Sequence, residues 1–254
     1  MPEWIPISSV EHRRSFFRPP TSMTHTAAAR MVPVLRSELK RVVSQFVLAF
    51  AQQDGQLRLV ALLGGNKDNH LYLHPDGRWL GSYVPAMFRT YPFQYKWLQN
   101  DEPGLVIFSD ALTRDTEHGK PLFDVDGNLS EEIKPYAKFL GMCAADMRVT
   151  DAAVALLNKH DLLKPWTDES GAHSWSGELL EIDQEKFEAL DANTIAALQG
   201  APLAIAYAQI YARGQMETLA RRLEALKSVK PKEDMLPSFL GADNDEMLRF
   251  DFEN

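Results

Sequence analysis

Cysteine is almost absent from this chain. The single cysteine among 254 residues, Cys143, cannot form an internal disulfide, so nothing in the sequence indicates an oxidising compartment. Long apolar runs are missing too, since the longest fall far below the roughly 20 residues that a membrane-spanning helix needs. The N-terminus also lacks the basic segment and apolar stretch of a signal peptide. These absences predict a soluble, cytoplasmic protein without membrane insertion.

Positive charge is scarce relative to negative charge. The chain carries 27 Lys and Arg against 35 Asp and Glu, which gives a net charge of -8 and a pI near 5.4. Proteins that bind a phosphate backbone need clustered Lys and Arg. The composition therefore argues against nucleic acid as a partner.

Recognisable catalytic motifs are also missing. The sequence contains no Gly-x-Ser-x-Gly, Walker or Gly-x-Gly-x-x-Gly pattern. Cys143 falls on the apolar stripe of a predicted helix, which favours a small buried hydrophobe over a nucleophile, because a reactive thiol needs a partly exposed, electropositive setting. We therefore predict no cofactor and lean against enzymatic activity, without excluding it.

Two short patterns raise the question of a metal. His70 and His74 lie four residues apart with Asp76 nearby, but zinc needs three or four convergent ligands and no Cys or Glu completes a familiar set. Residues 123–130 carry oxygen side chains at alternate positions, yet a calcium loop starting at Asp124 would need Gly and Glu where this chain has Leu129 and Pro135. An Asp-Gly turn explains the second pattern better, and we predict no metal site.

The distribution of apolar residues predicts an α+β fold with a largely antiparallel sheet in the N-terminal half. Residues 46–52 and 57–63 are strand-like and are separated by Gln-Asp-Gly-Gln, a typical hairpin turn. Further strands are predicted at 71–73, 105–108 and 178–182. The loops between the early strands are too short for helical crossovers, which favours antiparallel pairing.

Helices are predicted mostly in the C-terminal half, where they would pack on the sheet. An early helix is expected over 32–43, with Pro33 in its first turn. From Ile133 onward, apolar residues recur at steps of three and four and predict a long helix. Asp183 and Asp191 are typical N-caps of two short helices, and a last helix is expected over 202–227.

The predicted domain organisation has three parts. Residues 1–30 form an extended N-terminal arm, residues 31–228 a single globular domain, and residues 229–254 an acidic flexible tail. The last helix of the domain carries apolar residues at near-heptad spacing over about three heptads. Packing on its own domain is one interpretation of this stripe, and the seam of a homodimer is the other.

The segment from Asn69 to Phe93 is unusually rich in aromatic residues and also contains two arginines. Aromatic rings and fixed guanidinium groups are what a site for a planar or anionic ligand uses. The same mixture also builds an irregular core sealed by tyrosine hydroxyls and arginine stems. If the segment forms a site, its candidate ligand-binding residues are Arg78, Trp79, Tyr83, Arg89 and Tyr91.

Several stretches together resemble the bacterial SapC-like family. The similar stretches are Val32–Leu35 with Glu38, Leu62–Gly64, Asn69–Tyr72, Asp76–Trp79, Tyr83–Ala86, Arg89–Phe93, Pro121–Asp124, Asp126–Gly127, Leu162–Trp166, Glu178–Asp183 with Lys186, and Tyr207–Ile210. They follow one another across nearly the whole predicted domain, and residues 78–93 are the most specific part. The chain departs from the family pattern at Gln209, where His is usual, and in its N-terminal arm.

The resemblance implies a pathway more than a reaction. Members look like soluble cytoplasmic proteins, often encoded near TonB-dependent receptors, flavin-dependent halogenase-like enzymes and cupin-type proteins. This association implies a role in nutrient uptake or in a tailoring pathway.

The sequence thus supports three hypotheses. The first is a non-catalytic binding or accessory protein, which contacts a small ligand or a partner enzyme, such as a halogenase-like or cupin-type neighbour, through the aromatic and arginine residues. The second is an enzyme that uses a metal or an acid-base pair assembled from distant loops. The third is a structural or interaction protein that assembles through its last helix and tail.

Overall fold

The structure, a computed structural model, describes residues 3–64, 70–97, 103–167 and 179–229. Within these ranges the strands are, in chain order, β1 (Trp4–Pro6), β2 (Phe16–Phe17), β3 (Met31–Pro33), β4 (Leu48–Gln53), β5 (Gln56–Leu62), β6 (Phe93–Trp97), β7 (Pro103–Phe108), β8 (Leu112–Thr113), β9 (Lys120–Pro121), β10 (Leu163–Pro165) and β11 (Leu179–Ile182). The α-helices are α1 (Leu39–Val42), α2 (Ala86–Arg89), α3 (Lys134–Lys159), α4 (Gln184–Glu188), α5 (Ala192–Ala197), α6 (Ala201–Ala212) and α7 (Met216–Val229). Every strand pair in the described residues is antiparallel, and the helices lie mostly in the second half. The fold is therefore α+β, as the apolar pattern predicts.

The largest sheet has five strands in the order β10-β11-β4-β5-β3. Its central hairpin turns at Asp54 and Gly55, both with positive φ (51° and 77°), the backbone that a tight two-residue hairpin requires. Residues 48–51 and 59–62 are all buried, so both faces of these strands are covered. Helix α3 packs on β5, and α6 packs on β4 and β11.

Two smaller sheets complete the fold and incorporate the N-terminal residues. One has the order β1-β7-β6, and the other has β2 between β8 and β9. Phe17 of β2 is fully buried in a second apolar core, together with Phe93, Ile107 and Leu122. The predicted N-terminal arm is thus extended in parts, and it packs onto the body of the protein.

Helix α3 connects the two cores. It has 26 residues and is therefore about 39 Å long. Leu140 in its first half and Ile133, the residue just before the helix, pack into the second core, whereas Val154 and Leu157 of its second half belong to the core of the large sheet. Between them, Cys143 packs in a small separate cluster with Leu35, which follows β3, and Ala86, the first residue of α2. The middle of α3 is where the candidate site lies.

The prediction of a helix over 32–43 is wrong in its first half. Met31–Pro33 form strand β3, which pairs with β5, and the α-helix is limited to α1. Val32 and Val34 are both buried. The conformation of this segment is set by its pairing with β5, a strand distant in sequence. The local spacing of apolar residues carries no information about that pairing.

Two local helix predictions are confirmed, and a predicted strand is shorter than expected. Helix α3 follows the apolar stripe from Ile133, and Asp183 and Asp191 accept hydrogen bonds from the first turns of α4 and α5. The predicted strand at 71–73 is reduced to a single bridge between Leu73 and Trp79. The predicted tail lies outside the described residues from residue 230 onward.

The predicted last helix is divided into α6 and α7 by a 3-10 turn at Arg213–Gln215. Leu219 of α7 is fully buried in the core of its own chain. At Leu219, packing within the same chain therefore accounts for the apolar stripe of the predicted last helix. No helix in the described residues combines the length and apolar character needed to cross a bilayer.

Gln209 fastens α6 to the large sheet. Its side-chain oxygen accepts a hydrogen bond from the Ile182 amide (2.9 Å), and its side-chain nitrogen donates to the Leu48 carbonyl (3.2 Å). The side chain is only 2% exposed. Gln209 therefore joins β11 and β4.

Replacing Gln209 with Leu should lower the free energy of unfolding by about 2 kcal/mol, because buried polar groups of two strands lose their partner. Urea unfolding followed by circular dichroism measures this change. Gln199→Leu is the matched control, since Gln199 is exposed. Equal stability of the two variants would contradict the bridging role of Gln209.

Candidate functional site

The five candidate residues from the aromatic segment do not form one cluster. Arg78 is exposed and donates to Asp76 within its own turn (2.7 Å). The Trp79 ring packs against Tyr72, Phe46 and Phe88, and its Nε1 donates to the Tyr83 carbonyl (2.9 Å). Trp79 thus contributes to the apolar packing.

The remaining three candidate residues divide between two places. Tyr91 stacks on His25 with a centroid distance of 4.1 Å and also contacts Trp4 and Phe108. Tyr83 and Arg89 instead line one groove, which Arg78, Trp79 and Tyr91 do not line. The structure therefore brings together two of the five candidates.

The groove has a volume of about 660 Å³ and runs between the middle of α3 and the segments around α1 and α2. One wall consists of residues 35–38 and Arg41, and the opposite wall is the face of α3 that carries Phe139, Met142, Asp146 and Val149. These four side chains share a face because they recur at steps of three and four along a helix. Tyr83, Ala86 and Arg89 complete the lining.

Glu38 lies at the base of this arrangement and is 3% exposed. Its Oε1 accepts hydrogen bonds from the Tyr83 hydroxyl and from the Ala86 amide, both at 2.7 Å. Its Oε2 accepts from the Leu35 amide at 3.0 Å. A buried carboxylate is stable only when donors surround it, and here one donor from its own segment and two from residues 83–86 do so.

Tyr83 connects this carboxylate to two arginines. Burial, together with the hydrogen bond to Glu38, raises the pKa of Tyr83 to about 12. The phenol is therefore protonated at neutral pH and donates to Glu38, while it accepts a hydrogen bond from Arg89 Nη2 (3.0 Å). The guanidinium carbons of Arg41 and Arg89 lie 5.3 and 5.4 Å from the centre of its ring.

The opposite wall fixes a third arginine. Arg36 Nε donates to Asp146 Oδ1 (3.2 Å), and the Ser37 amide donates to Asp146 Oδ2 (2.8 Å). Partial burial acts to raise the pKa of Asp146, but the hydrogen bonds from Ser37 and Arg36 outweigh it and lower the pKa. Thr150 accepts from the Arg36 amide (2.9 Å) and completes the attachment of this segment to α3.

Cys143 also lines the groove but is only 5% exposed. Burial raises the pKa of its thiol to about 11, and the negative charge of Glu38 contributes in the same direction. A thiol in this state is a poor nucleophile at neutral pH. Its placement in a small apolar cluster confirms the interpretation of Cys143 as a buried hydrophobe.

The two histidines considered for a metal do not converge. His70 packs edge-on against Trp79, and burial lowers its pKa to about 4. His74 Nδ1 lies 2.8 Å from Asp76, on an exposed turn. In the residues that the structure describes, no three His, Cys, Asp or Glu side chains are placed to hold a metal ion.

Three groove residues, Glu38, Arg41 and Phe139, are not among the site residues predicted from the sequence. Glu38 belonged to the SapC-like resemblance, but its hydrogen bond to Tyr83 spans 45 positions in the chain. The second apolar face of α3 was a usable signal, since Phe139, Met142 and Val149 repeat at helical spacing beside the core stripe. Met142 is 61% exposed, so this face is not explained by packing within the chain.

Replacing Glu38 with Gln should lower the free energy of unfolding by about 2 kcal/mol, because an amide cannot accept from all three donors. Urea unfolding measures the effect. Glu224→Gln, on the exposed side of α7, is the control and should change stability little. A Glu38→Gln protein as stable as the control would contradict the proposed hydrogen-bond network.

Alkylation of Cys143 by iodoacetamide tests whether the pKa of its thiol is raised in the folded protein. At pH 8 the native protein should react roughly a hundredfold more slowly than the urea-unfolded chain, because its thiol pKa is about 11 instead of 9.0. The native rate should keep rising above pH 10, where the rate of the unfolded chain levels off. Mass spectrometry follows the reaction, and coincident pH profiles would contradict the raised pKa.

Comparison with known proteins gives one match. The family model described as SapC covers residues 7–219, which is well over half of the chain and includes Glu38, Tyr83, Arg89 and the groove-lining part of α3. No curated protein and no solved structure gave a match. On the extent of the family match, the chain belongs to the SapC family.

Proposed function

We propose that this protein is a non-catalytic binding or accessory protein that holds a small organic ligand in the groove between α3 and Tyr83. The observation that carries the proposal is the groove itself. It has a volume of about 660 Å³, within the range of small-molecule sites, and combines an apolar wall with a few convergent polar groups.

The chemical state of the lining favours binding over catalysis. The Tyr83 phenol and the Cys143 thiol both have raised pKa values and keep their protons at neutral pH. Glu38 is surrounded by three donors, and Asp146 is held by Arg36 and Ser37. Neither the phenol nor the thiol is therefore poised to exchange a proton with a ligand near neutral pH.

The biological setting of the proposal comes from the family. Membership in the SapC family, with the associations described above, supports a cytoplasmic role in nutrient uptake or in a tailoring pathway. In such a pathway the protein would present its ligand to a partner enzyme, of the halogenase-like or cupin type. The groove is open to solvent at Met142 and Arg89, so a ligand can be exchanged there.

The test uses protein labelled with ¹³C at its methionine methyl groups, with Met142 assigned through a Met142→Leu variant. The probes are 2-naphthoate, 2-naphthamide and 2-naphthylmethylamine, which share a flat apolar body and differ in charge. We expect at least one of them to shift the Met142 signal saturably, because this side chain lies on the groove wall.

The matched variants are Val149→Ser and Val125→Ser. Val149 lines the groove, whereas Val125 is an exposed residue of the turn before α3. Losing apolar contact should weaken probe binding roughly fivefold in Val149→Ser and leave it unchanged in Val125→Ser. If no probe shifts Met142, or if Val149→Ser binds like the wild type, the groove is not a ligand site.

A further inference from the structure

Two arginines at the groove, Arg41 and Arg89, have no acidic partner among the residues that the structure describes. In the described part of the chain, neither Arg41 nor Arg89 has a carboxylate within ion-pair distance, whereas Arg36 is paired with Asp146 at 3.2 Å. Arg89 makes one side-chain hydrogen bond, to the neutral oxygen of Tyr83. Both side chains are exposed at the groove. The positive charge of these two groups is therefore available to a ligand.

The nearby carboxylates do not cancel this charge by direct contact. Glu38 directs its oxygens toward Tyr83, Leu35 and Ala86, and so it accepts from neutral donors only. Asp146 is engaged by Arg36 and by a backbone amide. Taken together, the lining has three arginines and two carboxylates, and its free hydrogen-bonding capacity is mainly that of guanidinium donors.

Contacts with aromatic rings position the guanidinium groups of Arg41 and Arg89. Arg89 lies over the Phe139 ring at 4.9 Å and over the Tyr83 ring at 5.4 Å, and Arg41 contacts the same Tyr83 ring. A guanidinium placed against aromatic rings loses little further freedom when it binds an anion. Phe139 and Met142 extend the apolar surface from this position along α3.

We propose that the groove takes a small organic carboxylate with a flat apolar body. Its carboxylate accepts hydrogen bonds from Arg41 and Arg89, and its body lies on Phe139, Met142 and Val149. This inference rests on the proposed binding function and narrows it to one ligand class. A cationic ligand is disfavoured because both lining carboxylates already have donors, and a fully polar anion would leave the apolar wall of α3 uncovered.

The test compares the affinities of 2-naphthoate, 2-naphthamide and 2-naphthylmethylamine, measured by titration calorimetry and by the Met142 methyl signal. We expect the acid to bind at least about tenfold more tightly than the amide, and the amine to bind most weakly. Raising the salt concentration should weaken binding of the acid and leave that of the amide unchanged. Acetate should bind far more weakly than 2-naphthoate, because it has no apolar body.

Arg41→Gln and Arg89→Gln should each lower the affinity for the acid about tenfold and leave the affinity for the amide nearly unchanged. Arg148→Gln is the matched control: it removes the same charge from an exposed position of α3 outside the groove and should change neither affinity more than about twofold. Arg41 makes no side-chain hydrogen bond in the described structure, so Arg41→Gln tests the proposal even if Arg89→Gln fails to fold.

The outcomes separate this inference from the proposed function. Equal affinities for acid and amide, preference for the amine, or binding of the acid that is insensitive to both arginines would overturn the carboxylate assignment while groove binding stands. Failure of all three probes to shift Met142 would overturn both proposals. Acid-selective binding that depends on Arg41 and Arg89 supports both.

Discussion

The geometry of the groove depends on one buried carboxylate. Glu38 accepts hydrogen bonds from the amide of Leu35, two residues after β3, from the Tyr83 hydroxyl and from the amide of Ala86 at the start of α2. Removing a carboxylate from water is costly, so the buried position of Glu38 favours an arrangement in which residues 35–38 and 83–86 are close enough to solvate it. The same requirement places Tyr83 and Arg89 on the rim. Glu38 is thus a positioning residue, whose effect on a ligand passes through the groups it holds.

The rest of the fold makes the two walls of the groove rigid with respect to each other. Helix α3 is fixed at both ends because it packs into two separate cores. Asp146 and Thr150 attach the segment of Arg36 and Ser37 to the same helix, and the pairing of β3 with β5 anchors that segment from the other side. Gln209 in turn ties α6 to the sheet that supports α3. A groove held in this way is formed before a ligand arrives, which reduces the entropy lost on binding.

The features that the sequence predicts correctly are those with local causes. The Asp54-Gly55 turn needs positive φ, Asp183 and Asp191 have side chains that cap a helix, and α3 follows an apolar period. The segment 32–43 was mispredicted because pairing with β5, a contact distant in sequence, competes with helical spacing. The candidate site shows the same contrast between residues predictable from local sequence and residues placed by distant contacts. Tyr83 and Arg89 come from one aromatic segment and could be predicted, and Phe139 lies on an apolar face of α3 whose helical spacing is visible in the sequence. Glu38 and Arg41 join them only through tertiary contacts that no local pattern encodes.

The charge of the whole protein bears on how such a groove can select a ligand. With a net charge of -8, the chain repels anions at long range, so an anionic ligand gains no electrostatic steering from the protein as a whole. Selection must therefore arise within a few ångströms, from guanidinium groups supported by aromatic rings and from apolar contact along α3. When a ligand is selected by short-range contacts alone, association is slower than with electrostatic steering, but specificity is retained. That balance agrees with the proposed role of holding and handing over a ligand, because holding depends on slow release more than on fast capture.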